Sequence, residues 1–442
     1  MPERPKQRAP HRRTHQHTES SSKKNVSPAR WAAFNVLMQV ETTSAHSDDL
    51  LHSAELRTLS QADKNLTTAL VLGVLRWQIA LDAELAKLLD RPDQQLPETI
   101  HIALRIAAFQ LRHMDRIPAH AALSESVELA RLAGHPKAAG LVNALLRKLT
   151  TRPPARQPIV ETVAAMATRL GHPAWLVQRW EANYGRDAAR ALCEYNQREP
   201  QPGHLFASDD PAENIGAHLI DDGSRLVAEL AAASHAAPQR IWDACAAPGG
   251  KTAVLAERHP HAEILATDIS SRRLQSMQRR LNSQLPQQKI RTLVADAMQL
   301  PPAEGDFDLI LCDVPCSGTG TLARNPEIRH RLEPADLKRQ SIRQSEILNA
   351  ALRRLKPGGR LVYSTCSLEP EENEAVIQSV LTQKAFHVIS VSPLLDELAD
   401  KKILRDHTDR LNELVRGDAL RTLPGANFEG DGFFATVLSR ES

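Results

Sequence analysis

Beyond Arg240 the sequence changes period, and short apolar runs begin to alternate with segments patterned for helix. Five runs carry the pattern, at 240–244, 263–267, 289–294, 307–312 and 360–364, with later candidates at 386–391 and 433–438. Strands separated by helices rejoin a sheet as parallel neighbours, so this order predicts a doubly wound, Rossmann-like α/β domain over residues 240–442. Such a sheet is covered on both faces and leaves the carboxyl edge of its strands for binding and chemistry.

The first third of the chain has the other period. Trp31, Phe34, Val36 and Leu37 recur at helical spacing, as do Leu66, Leu70, Val74 and Leu75, then Ile102, Ile106 and Phe109, then Leu141, Leu145 and Leu146. No strand-like alternation interrupts them, which predicts a compact all-α domain over residues 27–150. Pro92, Pro97, Pro118 and Pro136 fall where helices would start or stop, as a fixed φ and a missing N–H require. Thr151 to Pro158 reads as a stiff connector, and Trp175, Trp180 and Tyr184 lie on a renewed helical pattern, so residues 151–239 are expected to be a mainly helical linker. A chain of 442 residues exceeds what one hydrophobic core serves, which agrees with a division into domains.

Charge is local rather than global. The net charge is only +2. Residues 1–26 nonetheless hold Arg4, Lys6, Arg8, Arg12, Arg13, Lys23 and Lys24 against Glu3 and Glu19, without apolar periodicity. They are expected to form a disordered basic tail, either solubilising or attracted to nucleic-acid phosphates. No unbroken apolar run reaches the roughly 18 residues of a membrane span, and no secretory leader pattern is seen, so a cytoplasmic protein without a membrane partner is expected. Five cysteines, Cys193, Cys245, Cys312, Cys316 and Cys366, are an odd number that suits free thiols.

The first strand runs into Asp243-Ala-Cys-Ala-Ala-Pro-Gly-Gly-Lys251, followed by a helical segment. A glycine turn between strand and helix brings backbone N–H groups to a ligand at the sheet edge. Cys245, Ala246, Ala247, Pro248, Gly249, Gly250 and Lys251 are therefore candidate cofactor contacts. Asp268 ends the second strand at the spacing where nucleotide-binding folds place a carboxylate on ribose, and Asp296, after the third, is a candidate for the adenine end. The loop is neither Gly-x-x-x-x-Gly-Lys-[Ser/Thr] nor Gly-x-Gly-x-x-Gly, although taken alone it leaves a dinucleotide enzyme open. A bland reading of Asp243 is a helix or turn cap.

Two more segments fall at strand ends: Asp313-Val-Pro315-Cys316-Ser-Gly318 and Thr365-Cys366-Ser367. One cysteine there would more often be a small buried hydrophobe than a nucleophile. Two, beside an acid and a cofactor loop, point to covalent chemistry. Zinc is the rival, but Cys312 should point away from Cys316 on a strand and no Cys or His pair of zinc-like spacing accompanies them, so no metal is expected. Thiol addition to carbon 6 of a cytosine makes carbon 5 nucleophilic, and a carboxyl group such as Asp313 could assist at ring N3. Spacing alone does not say which thiol attacks.

At these residues the sequence resembles the RNA (cytosine-C5) methyltransferases, in the bacterial 16S rRNA methyltransferase B (Sun/Fmu) group. The resemblance covers nearly the whole chain and rests on Cys245-Ala-Ala-Pro-Gly-Gly-Lys251, Asp313-Val-Pro-Cys-Ser-Gly318, Asn325-Pro-Glu-Ile-Arg329, Thr365-Cys-Ser367, Pro370-Glu-Glu-Asn373, Leu423-Pro-Gly and Asp431-Gly-Phe-Phe434. It implies that the cofactor is S-adenosyl-L-methionine, held in part by Asp268 and Asp296, with Asp313 also a candidate cofactor contact. It also implies that Cys366 is the nucleophile, that Cys316 assists product release, that Asp313 holds the base and that residues 27–150 have the NusB fold, which binds RNA. The implied partner is 16S rRNA, free or partly assembled, since a paired cytosine must be unstacked before a thiol can reach it. Alternatives are a tRNA or other RNA cytosine methyltransferase and an RNA-binding assembly factor with an inactive catalytic domain. Pro202 to Ser208 lacks an Arg and an Asn common in the family, and His330 stands where an aromatic residue is common.

Overall fold

The computed structural model describes residues 26–91, 95–153, 161–201, 205–206, 220–382, 385–405 and 411–441. Residues 1–25 of the basic tail, Pro92, most of the Thr151 to Pro158 connector and most of the Pro202 to Ser208 segment lie outside them. The chain forms two compact units, residues 1–157 and 158–442.

The first unit is helical throughout its described residues: α1 (Pro28–Thr42), α2 (Ser47–Leu51), α3 (Gln61–Ala86), α4 (Glu98–His113), α5 (Ala119–Leu132) and α6 (Ala139–Thr151). Pro97 and Pro118 stand at the N-caps of α4 and α5, and Pro136 opens a short 3-10 turn before α6. Leu70, Val74, Ile102, Ile106, Leu145 and Leu146 come together in one core. By length and composition α3 is apolar enough to cross a bilayer, a property that counting unbroken apolar residues misses; 50% of its most apolar stretch is buried inside the protein. It packs against α1 and α4 as a core helix.

The second unit begins with α7 (Val163–Arg169), α8 (Ala174–Tyr184), α9 (Arg186–Tyr195) and α10 (Asp222–Ala233). Then come β1 (Arg240–Asp243), α11 (Gly250–Arg258), β2 (Glu263–Asp268), α12 (Ser271–Gln284), β3 (Ile290–Val294), β4 (Phe307–Asp313), α13 (Ile328–Arg331), α14 (Pro334–Leu352), β5 (Leu355–Thr365), α15 (Glu374–Leu381), β6 (Phe386–Ile389), α16 (Ser392–Asp400), β7 (Val415–Arg416), β8 (Ala419–Arg421) and β9 (Phe434–Arg440). The sheet order is β3-β2-β1-β4-β5-β9-β8-β7, with β6 also paired to β9. The strands β1 to β5 are parallel, whereas β9 runs antiparallel to β5, β6 and β8. The expected parallel sheet is thus extended at one side by antiparallel strands, of which β7 and β8 are too short to leave a period in the sequence.

Alternation along the strands explains the two layers. Ile241, Leu309 and Val362 join Leu226, Leu230 and Leu255 on the face covered by α10 and α11. Trp242, Ile310 and Tyr363 join Ile347, Leu348 and Val376 on the face covered by α14 and α15. The chain leaves β1 toward β2 and β3 in one direction and occupies β4 and β5 in the other, so the strand order reverses between β1 and β4. A crevice opens at the carboxyl ends of two such strands. Here those ends are Asp243 and Asp313.

The segment expected as a linker is not a free tether. Its Met166, Leu176, Val177, Trp180 and Leu192 pack with Leu322 and Leu368, which belong to the loops after β4 and β5.

Candidate active site

The β1 to α11 turn is shaped by two glycines. Gly249 has φ +98° and its absent Cβ would stand 2.5 Å from Met277, while a Cβ on Gly250 would stand 2.1 Å from Ile220. Only glycine suits both the left-handed backbone and this approach. The loop, with Ile220, Ser224, Asp243 and Asp313, lines a cavity at the sheet edge.

Asp268 ties this loop to the next strand. It accepts hydrogen bonds from the Ala247 N–H at 3.3 Å and the Ser270 N–H at 2.8 Å. Arg273 donates to the Ala247 carbonyl at 2.7 Å, and Arg280 to that of Pro248. Beside Asp268 lie Ile269 and Val294, the latter its cross-strand partner in β3, and these two are 63% and 53% exposed. With Ile342 they are the exposed large hydrophobic side chains among the described residues. Asp296 accepts from the Met298 N–H at 3.0 Å and so caps a short turn after β3.

Three carboxylates and one ammonium share the crevice, and their pairing is unequal. Lys251 does not point outward. Its Nζ stands 2.7 Å from Asp313 Oδ2 and donates to Ser224 Oγ at 2.7 Å. Burial opposes its charge, but the surrounding acids, Asp313 first and then Asp221, raise the Lys251 pKa. Asp313 also accepts from the Ser364 hydroxyl at 2.9 Å. Asp243, 1% exposed, has among the described residues only the Thr252 hydroxyl, at 2.6 Å, as a close side-chain donor. Burial is the main force pushing its carboxyl up to about 7, and Asp313 and Asp268 add to the shift. The thiol of Cys245 is likewise pushed up, by burial first and then by the same carboxylates.

The loops after β4 and β5 bring Cys316 and Cys366 together with sulfurs 3.3 Å apart. Both are half-buried free thiols. The contact with Cys366, followed by burial, raises the Cys316 pKa, so its proton is held. Cys312 is buried in β4 among Trp242, Ala244 and Ile310, and Cys193 is buried with Trp180 in the helical layer. The structure therefore separates two thiols at the crevice edge from two in the core.

Comparisons with known proteins show the family of the chain. The family described as 16S rRNA methyltransferase RsmB/F matches residues 231–439, and the NusB family matches residues 27–151. The Probable ribosomal RNA small subunit methyltransferase B of Bacillus subtilis (strain 168) is 30% identical over 452 residues, covering 92% of this chain and 98% of that protein. The chain belongs to the RsmB/F family of 16S rRNA methyltransferases. Ribosomal RNA small subunit methyltransferase B of Salmonella arizonae is 31% identical over 425 residues, covering 87% of this chain and 92% of that one. The crystal structure of PH0851 superposes with a TM-score of 0.69 at 19% identity, covering 93% of this chain and 98% of that one, and so shares its fold. Like the RsmB/F family, this chain is an S-adenosylmethionine-dependent rRNA methyltransferase with a NusB-type helical unit before a methyltransferase unit.

Several residues that build this RsmB/F site give no sign in the sequence pattern. Ser224 and Ile220 reach the glycine loop from the segment before β1. Glu372, fully buried, gathers the residues that follow the two cysteines: it accepts from the Ser317 N–H at 2.8 Å, the Gln344 amide at 3.0 Å, and the hydroxyls of Ser317 and Ser367. Glu372 lies within the Pro370-Glu-Glu-Asn373 segment, whose resemblance marks the place but not the hydrogen bonds.

Proposed function

We propose that this rRNA methyltransferase acts on carbon 5 of a cytosine in 16S rRNA, free or partly assembled, through covalent addition of Cys366 to carbon 6. The observation that carries this is the pair of sulfurs 3.3 Å apart, beside Asp313, at the crevice that holds the glycine loop. A reaction that uses one thiol to activate a ring carbon and must then expel it has work for two thiols and a proton carrier.

The crevice fits S-adenosylmethionine by its donor set. A ribose can be held by Asp268, a flat base can lie against Ile269 and Val294, whose apolar surface is otherwise left in water, and the glycines admit close backbone approach. Held there, S-adenosylmethionine supplies the methyl group that carbon 5 takes.

Cys366 adds as the thiolate, the nucleophilic form of a cysteine. As the sulfur–carbon 6 bond forms, the Lys251–Asp313 pair delivers a proton to ring N3 through Asp313, and carbon 5 gains the electron pair it needs. After methylation the Cys316 thiol passes its proton to the departing Cys366 sulfur. The Cys316 thiolate so formed takes the proton from carbon 5. The carbon 5–carbon 6 double bond returns, N3 gives its proton back to the pair, and the one proton of the net reaction leaves from Cys366.

Incubation of single alanine variants with 16S rRNA and methyl-labelled cofactor tests this order. Cys366→Ala should give no protein–RNA adduct, and Cys316→Ala should accumulate one that survives denaturing gels. The reverse pattern would exchange the roles. Label in free RNA at the wild-type rate from both variants would remove covalent catalysis.

A further inference from the structure

We propose that Glu372 is the positioning residue that sets the distance between the two thiols, an inference that rests on the two-thiol chemistry above. The cysteines lie on different loops, and no backbone hydrogen bond joins Cys316 to Cys366 directly among the described residues. Each is followed by a serine, and both serines hang on one carboxylate. Ser317 gives Glu372 its N–H and its hydroxyl, Ser367 gives its hydroxyl, and the two hydroxyl oxygens stand 3.0 Å apart.

The arrangement is directional. Oε1 accepts from Ser317 N and Gln344 Nε2, and Oε2 accepts from the two hydroxyls, so four donors meet the four acceptor sites of a carboxylate. Ser367 Oγ also accepts from the Glu369 N–H, which leaves its hydrogen for Glu372. The same residue is anchored from behind, since Tyr363 donates its hydroxyl to the Glu372 carbonyl at 2.6 Å. Gln344 spans to the Pro315 carbonyl at 2.9 Å and so braces the Cys316 loop on the same support. Glu372, Ser317, Ser367 and Gln344 are all buried, and none can exchange its partner for water without opening the loops. The backbone joins the loops on either side, from the Gly320 N–H to the Cys366 carbonyl at 2.9 Å and from the Val314 N–H to the Ser364 carbonyl at 3.0 Å, and Glu372 is the side chain that joins the residues next to the two sulfurs. A glutamine at 372 can keep the Oε1 contacts but turns an NH2 toward two hydroxyl donors, so it should loosen the thiol pair without emptying the site.

Two measurements test this on the full-length protein. The first reads thiol proximity without RNA, by the rate at which diamide, a diazene oxidant reduced to its hydrazine, couples Cys316 to Cys366 as a disulfide detected by peptide mapping. Glu372→Gln should slow this coupling about tenfold, with the melting temperature and S-adenosylhomocysteine affinity near those of the wild type, since loosened geometry costs up to about a hundredfold in such reactions. The second reads chemistry. In the Cys316→Ala background, adding Glu372→Gln should slow adduct formation about tenfold, and in otherwise wild-type protein it should lower kcat with little change in KM for RNA. Ser367→Ala should slow adduct formation, Ser317→Ala should slow release so that adduct builds up, and combining either with Glu372→Gln should add little, because they act through one carboxylate. Unchanged coupling and unchanged adduct formation in a folded Glu372→Gln protein would overturn the positioning role alone. Absence of any adduct from Cys316→Ala itself would overturn the covalent reading and this proposal with it.

Discussion

Asp243 and Asp313 end neighbouring parallel strands, yet they are paired very differently. Lys251 meets Asp313 at 2.7 Å, and Asp243 is left in the dry floor of the crevice with a threonine hydroxyl. Its folded pKa, about 7, stands above the ordinary value of 3.8, so between these values the folded protein holds a proton that the unfolded chain has lost. Stability from this group is complete below about pH 4 and declines as pH rises toward 7. Asp243→Asn should remove that decline: from pH 5 to pH 7 the wild type should lose roughly 2 to 3 kcal/mol more than the variant in denaturant unfolding of the methyltransferase unit. Equal slopes would mean that Asp243 is ionised throughout. The sequence made both aspartates visible as strand-end acids, and it made the cysteines visible by their loops. Which acid the lysine would choose was not visible, because Lys251 lies on the first turn of a helix and its reach depends on packing against Ser224, 27 residues earlier.

At the scale of elements, the helices α7 to α9 were legible as helices and illegible as part of the site. Periodicity reports the side of a helix that is buried, not the partner that buries it. Trp180 is fully buried, and its indole N–H donates at 3.1 Å to Glu369, three residues past Cys366. Arg179 meets the same carboxylate at 2.8 Å, and Tyr184 donates its hydroxyl to the Leu368 carbonyl. Burial raises the Glu369 pKa despite these donors, so each counts. Trp180→Phe keeps most of the packing and removes one donor from a buried carboxylate, which should cost about 1 to 3 kcal/mol of stability. Faster amide exchange should then appear both in residues 174–184 and in the loop after β5. Faster exchange in the helix alone would show that α8 does not brace the Cys366 loop. The antiparallel side of the sheet was partly legible for a related reason: β9 is long enough to carry a period, whereas β7 and β8 together span five residues.

For the whole molecule, a net charge of +2 conceals how the two units divide the work. Length alone required more than one core, and the cores are separate: the first draws on residues from Val26 to Leu149, the others on residues from Met166 to Leu438. Each unit therefore buries its own apolar surface, and the methyltransferase unit should fold when residues 1–157 are removed. The catalytic crevice keeps its charges internally paired, as Lys251 with Asp313 and Arg273 near Asp268 show, and so offers phosphates little. Residues 1–26 hold seven Lys or Arg against two Glu, so the first unit, which carries them, is the expected source of affinity for the RNA backbone. Removal of residues 1–157 should weaken binding of 16S rRNA and flatten its dependence on salt, because each phosphate that is no longer neutralised lowers the slope of log K against log salt by about 0.7 to 0.9. S-adenosylhomocysteine affinity should stay within about twofold, since the glycine loop, Asp268 and their supports all lie in the retained unit and binding free energies of separate sites are close to additive. Filter binding at several salt concentrations, beside calorimetry with S-adenosylhomocysteine, checks both statements. An unchanged slope with intact cofactor binding would place RNA recognition on the methyltransferase unit itself, and the exposed arginines of α12 beside the glycine loop would be the first to replace.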